Sequence, residues 1–390
     1  MSLLSLYLKT GKFTYRAKLT PVNFEGSNVP DFLTLHEIIR QARRNLDQAT
    51  WDYLVGGADS ESALRRNRAG VDSWVFKPRI LNDVSEVHVA SEFLGVPMRI
   101  PVIMPPIGSI QVFEEGGGAS VARAVKEFGI MQILSSVCTP VFEELPEMVD
   151  GPRIYQLYLG GDEAWMDDII ERTIAAGYQA FCLTADTQTY SRRERDILKR
   201  YVPLSARVAS GNESGGRPQG GQAKMSWDTV AHIKEKFDIP LIVKGVGVAE
   251  DAARCVEMGV DVVYVSNHGG RQLDHTRSCI DALPEVVEAV DGRVPVVVDG
   301  GFMRGADVVK GLCLGADFVG MGRFEAFSMA AGGAEALLTA LNILEHEIKT
   351  TMALAGINSL DQLNANLVSR EYPLAVPHVL SAFPFIEEGY

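Results

Sequence analysis

Cysteine is scarce in this chain: 390 residues carry five, at Cys138, Cys182, Cys255, Cys279 and Cys313. The number is odd, the spacing wide, and no CxxC pair occurs, which excludes a disulfide framework and a cysteine-built metal site. A reducing, cytoplasmic setting and no metal are therefore expected. Positive charge is also short, with 37 Lys and Arg against 50 Asp and Glu and a formal net charge of -13. Nucleic-acid surfaces need clustered positive charge, so no nucleic-acid partner is expected. No apolar run approaches the roughly 18 residues that span a bilayer. The opening Met1 to Tyr15 lacks the ordered basic, apolar and small-residue regions of a signal peptide, so neither membrane insertion nor export is expected. Finally, no GxGxxG follows a strand with an acidic residue behind it, which excludes a nicotinamide-dinucleotide site.

What is present from residue 100 onward is alternation. Eight short apolar runs read as buried parallel strands: Pro101 to Met104, Ile130 to Leu134, Arg153 to Leu157, Ala180 to Thr184, Pro240 to Val243, Val260 to Val265, Val294 to Val298 and Ala316 to Met321. Between them lie amphipathic stretches such as Glu163 to Ala176 and Glu250 to Met258. Eight β/α units predict an α/β fold, a single (β/α)8 TIM barrel with an N-terminal helical segment. In that fold chemistry gathers at the C-terminal strand ends. Reading just past each run gives Gly108, Ser135, Gln156 with Tyr158, Thr184 with Asp186, Lys244, His268 with Arg271, Asp299 with Gly300 and Gly301, and Gly322 with Arg323.

The densest of these tips is Ser266-Asn267-His268-Gly269-Gly270-Arg271-Gln272-Leu273-Asp274. It holds a base that titrates near neutrality three residues from a guanidinium able to grip a carboxylate through two hydrogen bonds. Alone, His-Gly-Gly is equally a tight turn and the arginine a solvated charge. On one rim with a lysine, two aspartates and a second arginine, the pair reads as equipment for a small acid. The last two tips, Asp299-Gly300-Gly301 and Gly320-Met321-Gly322-Arg323, resemble the phosphate cradle built after strands 7 and 8 of such barrels. Lys244 points into the barrel mouth, either beside a cofactor or in a structural ion pair with Asp299.

These residues resemble the flavin mononucleotide (FMN)-dependent 2-hydroxy-acid oxidases and dehydrogenases, over about residues 30 to 370. Ser266 to Asp274 matches that family's signature around its catalytic histidine. The resemblance implies His268 as base, Asp186 as its orienting carboxylate, Arg271 and Arg193 as substrate-carboxylate clamps, and Tyr53 and Tyr158 as substrate contacts. It implies FMN held by Ser135, Gln156, Thr184 and Lys244 at the ring, with Gly108 facing it, by Asp299, Gly301, Gly322 and Arg323 at ribityl and phosphate, and by Ser266 as a further cofactor contact. The activity implied is oxidation of an L-2-hydroxy acid to a 2-oxo acid, with electrons passing to oxygen or another acceptor, commonly in a homotetramer. Oxidative decarboxylation of the lactate monooxygenase kind and flavin-barrel isomerisation remain alternatives, the latter having no evident use for a carboxylate clamp.

The chain departs from the family pattern at four places. Gly108 stands where many oxidases carry alanine, opening space beside the flavin. Met303 stands at the usual phosphate arginine, with Arg304 next to it as a substitute. Val137 stands where glycolate oxidase has tryptophan, and Tyr190 where it has an aliphatic residue, which predicts a substrate bulkier than glycolate. The polar, Gly/Ser/Gln-rich stretch within about 200–225 is expected to form a flexible active-site lid without a membrane anchor. Residues 1–30, with Lys9, Lys12, Arg16 and Lys18, are expected as an extension outside the 31–370 barrel, and 371–390 as a C-terminal tail.

Overall fold

The computed structural model describes residues 31–202, 221–386 and 388. Two units are distinguished, Met1–Asp31 and Phe32–Tyr390, and the second holds the elements that follow. The expectations for 1–30 and for most of the lid lie outside the described residues.

Each of the eight apolar runs is a strand, and the eight close into one parallel barrel in sequence order. They are β1 (Val102–Met104), β2 (Met131–Ser135), β3 (Arg153–Leu157), β4 (Ala180–Thr184), β5 (Leu241–Val246), β6 (Val262–Val265), β7 (Val296–Val298) and β8 (Phe318–Gly320). Every residue of β1 to β4 is buried. Continuous rather than alternating apolarity is what a sheet covered on both faces requires, which is why these runs lacked a polar phase. Register sets the rim. Ser135 pairs with Gln156, Thr184 with Lys244, and Lys244 with Tyr264. A bulge at Lys244 to Val246 interrupts β5, with Gly245 at φ +114. A Cβ there would stand 2.8 Å from Asp186, so the left-handed glycine makes room for that carboxylate.

Among the described residues three helices precede the barrel: α1 (Leu35–Asn45), α2 (Gln48–Val55) and α3 (Ser62–Ser73). Thr34 and Glu37 form a capping box that starts α1, and Asp47 caps α2. The N-cap position of α3, Glu61, makes no side-chain cap. The amides at this end are instead satisfied from far along the chain, by the last residue of the histidine motif. The Asp274 carboxylate accepts from the backbone N–H groups of Ser60 (3.1 Å), Ser62 (3.2 Å) and Ala63 (2.6 Å).

After β8 comes α4 (Gly322–Leu354), broken by non-helical geometry at Gly332 and Gly333. Among the described residues it is the one helix long and apolar enough to cross a membrane, a likeness that runs alone had not suggested. With 67% of its apolar window buried it is a core helix. The stretch after residue 370 folds back: Phe383 is buried and meets the His36 ring edge-on, with 5.3 Å between centroids.

Candidate active site

A cavity of about 760 Å3 opens at the C-terminal ends of the strands. Its wall takes in Tyr53 of α2, Tyr158 past β3, Arg193 past β4, Lys244 of β5, and His268 and Arg271 past β6. Gly108, Asp299, Gly301, Gly322 and Arg323 line it as well.

His268 begins a single 3-10 turn, His268–Gly270, and takes up φ +58 itself. A left-handed non-glycine residue stores strain, which the surroundings must hold. They do so through Asn267, whose side chain accepts from the Gly270 amide and exchanges two hydrogen bonds with Asn67 of α3, at 2.7 and 2.9 Å. The ring nitrogens then differ. Nδ1 lies 3.1 Å from Asp186 Oδ1, and Nε2 lies 3.4 Å from the Tyr158 hydroxyl. Burial disfavours ionisation of Asp186, but the His268 ring and the Lys244 ammonium outweigh it and hold the carboxyl below its ordinary range. An ionised Asp186 fixes the proton on Nδ1 and leaves Nε2 as the free base, facing the cavity. Burial, helped by Lys244 and Arg193 and opposed by Asp186, sets the ring below its ordinary value near 6.5.

The arginines are seated on backbone and aromatic rings. Arg271 Nη1 donates to the carbonyls of Tyr53 (2.7 Å) and Gly56 (2.9 Å), and its guanidinium lies 4.8 Å over the Tyr53 ring. Arg323 donates to the carbonyls of Leu54, Gly269 and Gly56 at 3.2, 2.9 and 2.8 Å. Both therefore rest on the C-terminal carbonyls of α2, the negative end of a helix. Arg193 lies 4.6 Å over Tyr190, with Nε donating to Ser191 at 3.2 Å. Burial first, and then Arg193, makes the Arg271 charge costly; the Arg323 guanidinium is pushed down to about 9 by burial and by Arg271. Three cations facing one cavity create a field that favours anions.

Lys244 donates to the Ser266 hydroxyl at 2.8 Å, Ser266 donates to Asp299 at 2.7 Å, and Lys244 lies 3.5 Å from Asp299. The structural ion pair weighed against a cofactor role for Lys244 thus exists, inside the cavity wall. Ser266 is engaged by Lys244, by Asp299 and by the His268 amide at 3.1 Å.

The residues fit a flavin on a test independent of any relative. At the tips of β3 and β4, buried Gln156 Nε2 and Thr184 Oγ1 have no hydrogen-bond partner among the described residues, while Ser135 donates to Gln156 Oε1 at 3.0 Å. Unpaired buried polar atoms cost about 1–3 kcal/mol each, so this rim suits a ligand carrying acceptors and donors along one edge. A flat heteroaromatic ring with a carbonyl edge meets that need.

Arg304 does not stand in for an arginine at 303. Its guanidinium donates to Glu347 at 2.9 and 3.1 Å from Nε and also reaches the Ala382 carbonyl, while the buried Met303 lines the cavity. Sequence reasoning also missed Asn67, Gln222 and Val379. Gln222 donates to Thr184 O (2.7 Å) and Thr187 (2.9 Å) and accepts from the Leu159 amide at 2.6 Å, tying the far end of the lid segment to two strand tips. Val379, from beyond residue 370, reaches the cavity wall. None carried a local signal, because each acts through a contact far away in sequence.

A closed parallel barrel whose mouth gathers an Asp-paired histidine, buried arginines and an orphaned polar rim fits a flavin-dependent oxidoreductase of small acids. The chain belongs to the FMN-dependent dehydrogenase family, whose profile matches residues 42–370. It is 36% identical to glycolate oxidase 3 of Arabidopsis thaliana over 356 residues, 87% of this chain and 96% of that one. It is 34% identical to an L-lactate oxidase of Nostoc sp., covering 86% of this chain and 98% of that one. A crystal structure of mandelate oxidase with (S)-2-phenylpropionate superposes with a TM-score of 0.79 at 30% identity, covering 88% of this chain and 100% of the other. The cofactor is FMN, and the chain is an FMN-dependent (S)-2-hydroxy-acid oxidase or dehydrogenase.

Proposed function

We propose that this enzyme oxidises an L-2-hydroxy acid bulkier than glycolate, of the lactate, longer aliphatic or aryl kind, to its 2-oxo acid. The observation that carries the reading is the pairing of His268 Nε2, held as a free base by Asp186, with two cavity-facing arginines. Arg271 and Arg193 bind the substrate carboxylate through charge-assisted hydrogen bonds. His268 Nε2 takes the proton from the 2-hydroxyl, and Asp186 stabilises the resulting imidazolium. Tyr158, 3.4 Å from the same nitrogen, holds the hydroxyl in line; burial raises its own phenol far above the ordinary range, so it stays protonated. Tyr53, whose hydroxyl donates to the Gly108 carbonyl at 3.2 Å, closes the wall beside it. FMN, when bound, supplies the two-electron acceptor. The residues to hold it are Gly108, Ser135, Gln156, Thr184, Lys244, Ser266, Asp299, Gly301, Gly322 and Arg323, with the Lys244 ammonium placed to favour negative charge on the ring.

Size selectivity rests on Val137, Phe113 and Tyr190 in the cavity wall. A valine at 137 leaves volume that an indole would fill. The test is kcat/KM across glycolate, lactate, 2-hydroxyoctanoate and mandelate for wild type and Val137→Trp. Wild type is expected to prefer the larger acids and the variant to lose at least about tenfold on them; glycolate as the preferred substrate of wild type contradicts the reading. Oxygen or another acceptor would take the electrons, and Gly108, which puts no side chain into the cavity wall, supports access to a bound flavin.

Five free, buried cysteines support a cytoplasmic enzyme. The exposed Tyr372, Leu374 and Val376 support self-association, with a homotetramer expected.

A further inference from the structure

The phosphate end of the cavity is short of positive charge. Arg68 and Arg323 line it, and Arg304 follows Met303 in the adjoining loop, but two of these three are spent. Arg68, buried on α3, donates to both oxygens of Asp307 at 2.7 and 3.0 Å, to Asp72 at 2.5 Å and to the Gly301 carbonyl at 2.7 Å. Two carboxylates against one guanidinium leave nothing for an incoming anion. Arg304 is held by Glu347, as described above.

The backbone donors at 303 to 305, in the loop after β7, are spent in the same way. The amides of Met303 and Arg304 donate to Asp307 at 2.9 and 3.1 Å, and that of Gly305 to Glu347 at 2.7 Å. The N-terminus of the helix Gly305–Cys313 is thus closed by the chain's own carboxylates. Even Gly300 and Gly301 answer to packing. At φ +99 and +92, their absent Cβ atoms would meet Cys279 Sγ at 2.9 Å and the Asn67 backbone at 2.9 Å.

What remains is Arg323, which has no carboxylate within ion-pair distance among the described residues, beside the apolar Met303. We infer that this chain holds the 5′-phosphate of its flavin through a single guanidinium, so that it separates FMN from riboflavin only weakly, and that Met303 is the residue that sets this selectivity. The inference rests on the flavin reading above. A flavin with a neutral 5′ end then loses one charge-assisted anchor and keeps the ring contacts. The apolar side chain at 303 costs such a ligand nothing and adds packing.

The experiment is a fluorescence-quenching titration of apoprotein with FMN and with riboflavin, for wild type, Met303→Arg and Arg304→Gln. Wild type is expected to bind FMN within about a hundredfold of riboflavin. M303R is expected to tighten FMN about tenfold or more while leaving riboflavin within about threefold. R304Q is expected to leave the FMN-to-riboflavin ratio unchanged, because its partner is Glu347. A wild-type ratio above about a thousandfold overturns the inference, as does an R304Q that selectively weakens FMN. Should M303R not fold, Met303→Lys repeats the test with a smaller cation, and the wild-type ratio stands by itself. Folded protein that binds neither flavin refutes the flavin assignment instead, a distinct outcome.

Discussion

His268 takes its chemistry from two neighbours and from burial: Asp186 fixes its tautomer, Asn267 holds its strained turn, and burial lowers its proton affinity. Removing the ring while keeping the anchors separates binding from chemistry. His268→Asn is expected to retain FMN, judged by its visible spectrum, and to be reduced by substrate about 10²–10⁴ times more slowly in anaerobic stopped flow. The pH profile follows from the sign of the shift. The base works deprotonated and its folded proton affinity is lowered, so kcat/KM should be flat through neutrality and fall only as pH drops below the ordinary histidine value near 6.5. An acid limb centred above about pH 7 would assign the proton transfer to another group.

The turn that carries His268 and the helix α3 are one structural device. Gly270, at φ +76, lets the turn approach so closely that a Cβ would stand 2.4 Å from the Leu64 amide nitrogen. Gly270→Ala therefore meets both a left-handed backbone and a backbone clash. It should destabilise the fold by about 3 kcal/mol or more in urea denaturation, against about 1 kcal/mol for a glycine whose neighbours can move. Asp274 closes the device from the other side. Burial opposes its ionisation, but the amides of Ala63, His275 and Ser62 and the Ser60 hydroxyl bring its carboxyl down to about 2, from an ordinary 3.8. The lowered folded value means that this stability is fully present above about pH 5 and is lost, by about 2 kcal/mol, as pH falls through the folded value. Asp274→Asn should remove that part of the acid-limb slope and lower stability at neutral pH. These relations explain what was legible. The motif announced its histidine and arginine because a titratable ring and a guanidinium are readable as residue types. The roles of Gly270 and Asp274 were not readable, since each is defined by a helix far earlier in the chain.

At the scale of the whole molecule, the barrel was legible because its strands are short, wholly apolar and evenly interrupted, and closure follows from their number. The polar rim was legible for the same reason: chain position past a strand end specifies place. What escaped was charge compensation. Arg304 looked available until Glu347 of α4, 43 positions on, proved to hold it; and α2, which seats both Arg271 and Arg323, lies outside the barrel altogether. Ring contacts and Arg323 are the FMN anchors, and FMN that binds the folded protein alone should stabilise it by mass action. At about a hundredfold excess over Kd the gain is about 2.7 kcal/mol, seen as a rise in Tm of a few degrees by calorimetry. Light scattering on the holoenzyme checks the expected tetramer, and Tyr372→Glu with Leu374→Glu should shift it towards smaller species.

The central claim is that His268 and Arg271 confront a substrate anion across a bound flavin. It is tested most directly by adding (S)-lactate and (S)-mandelate to the FMN-loaded protein under nitrogen and following its yellow absorbance band. Complete bleaching by at least one of these acids, lost in His268→Asn with flavin still bound, is the predicted result. A wild-type band that persists at saturating acid, with FMN in place, contradicts the account.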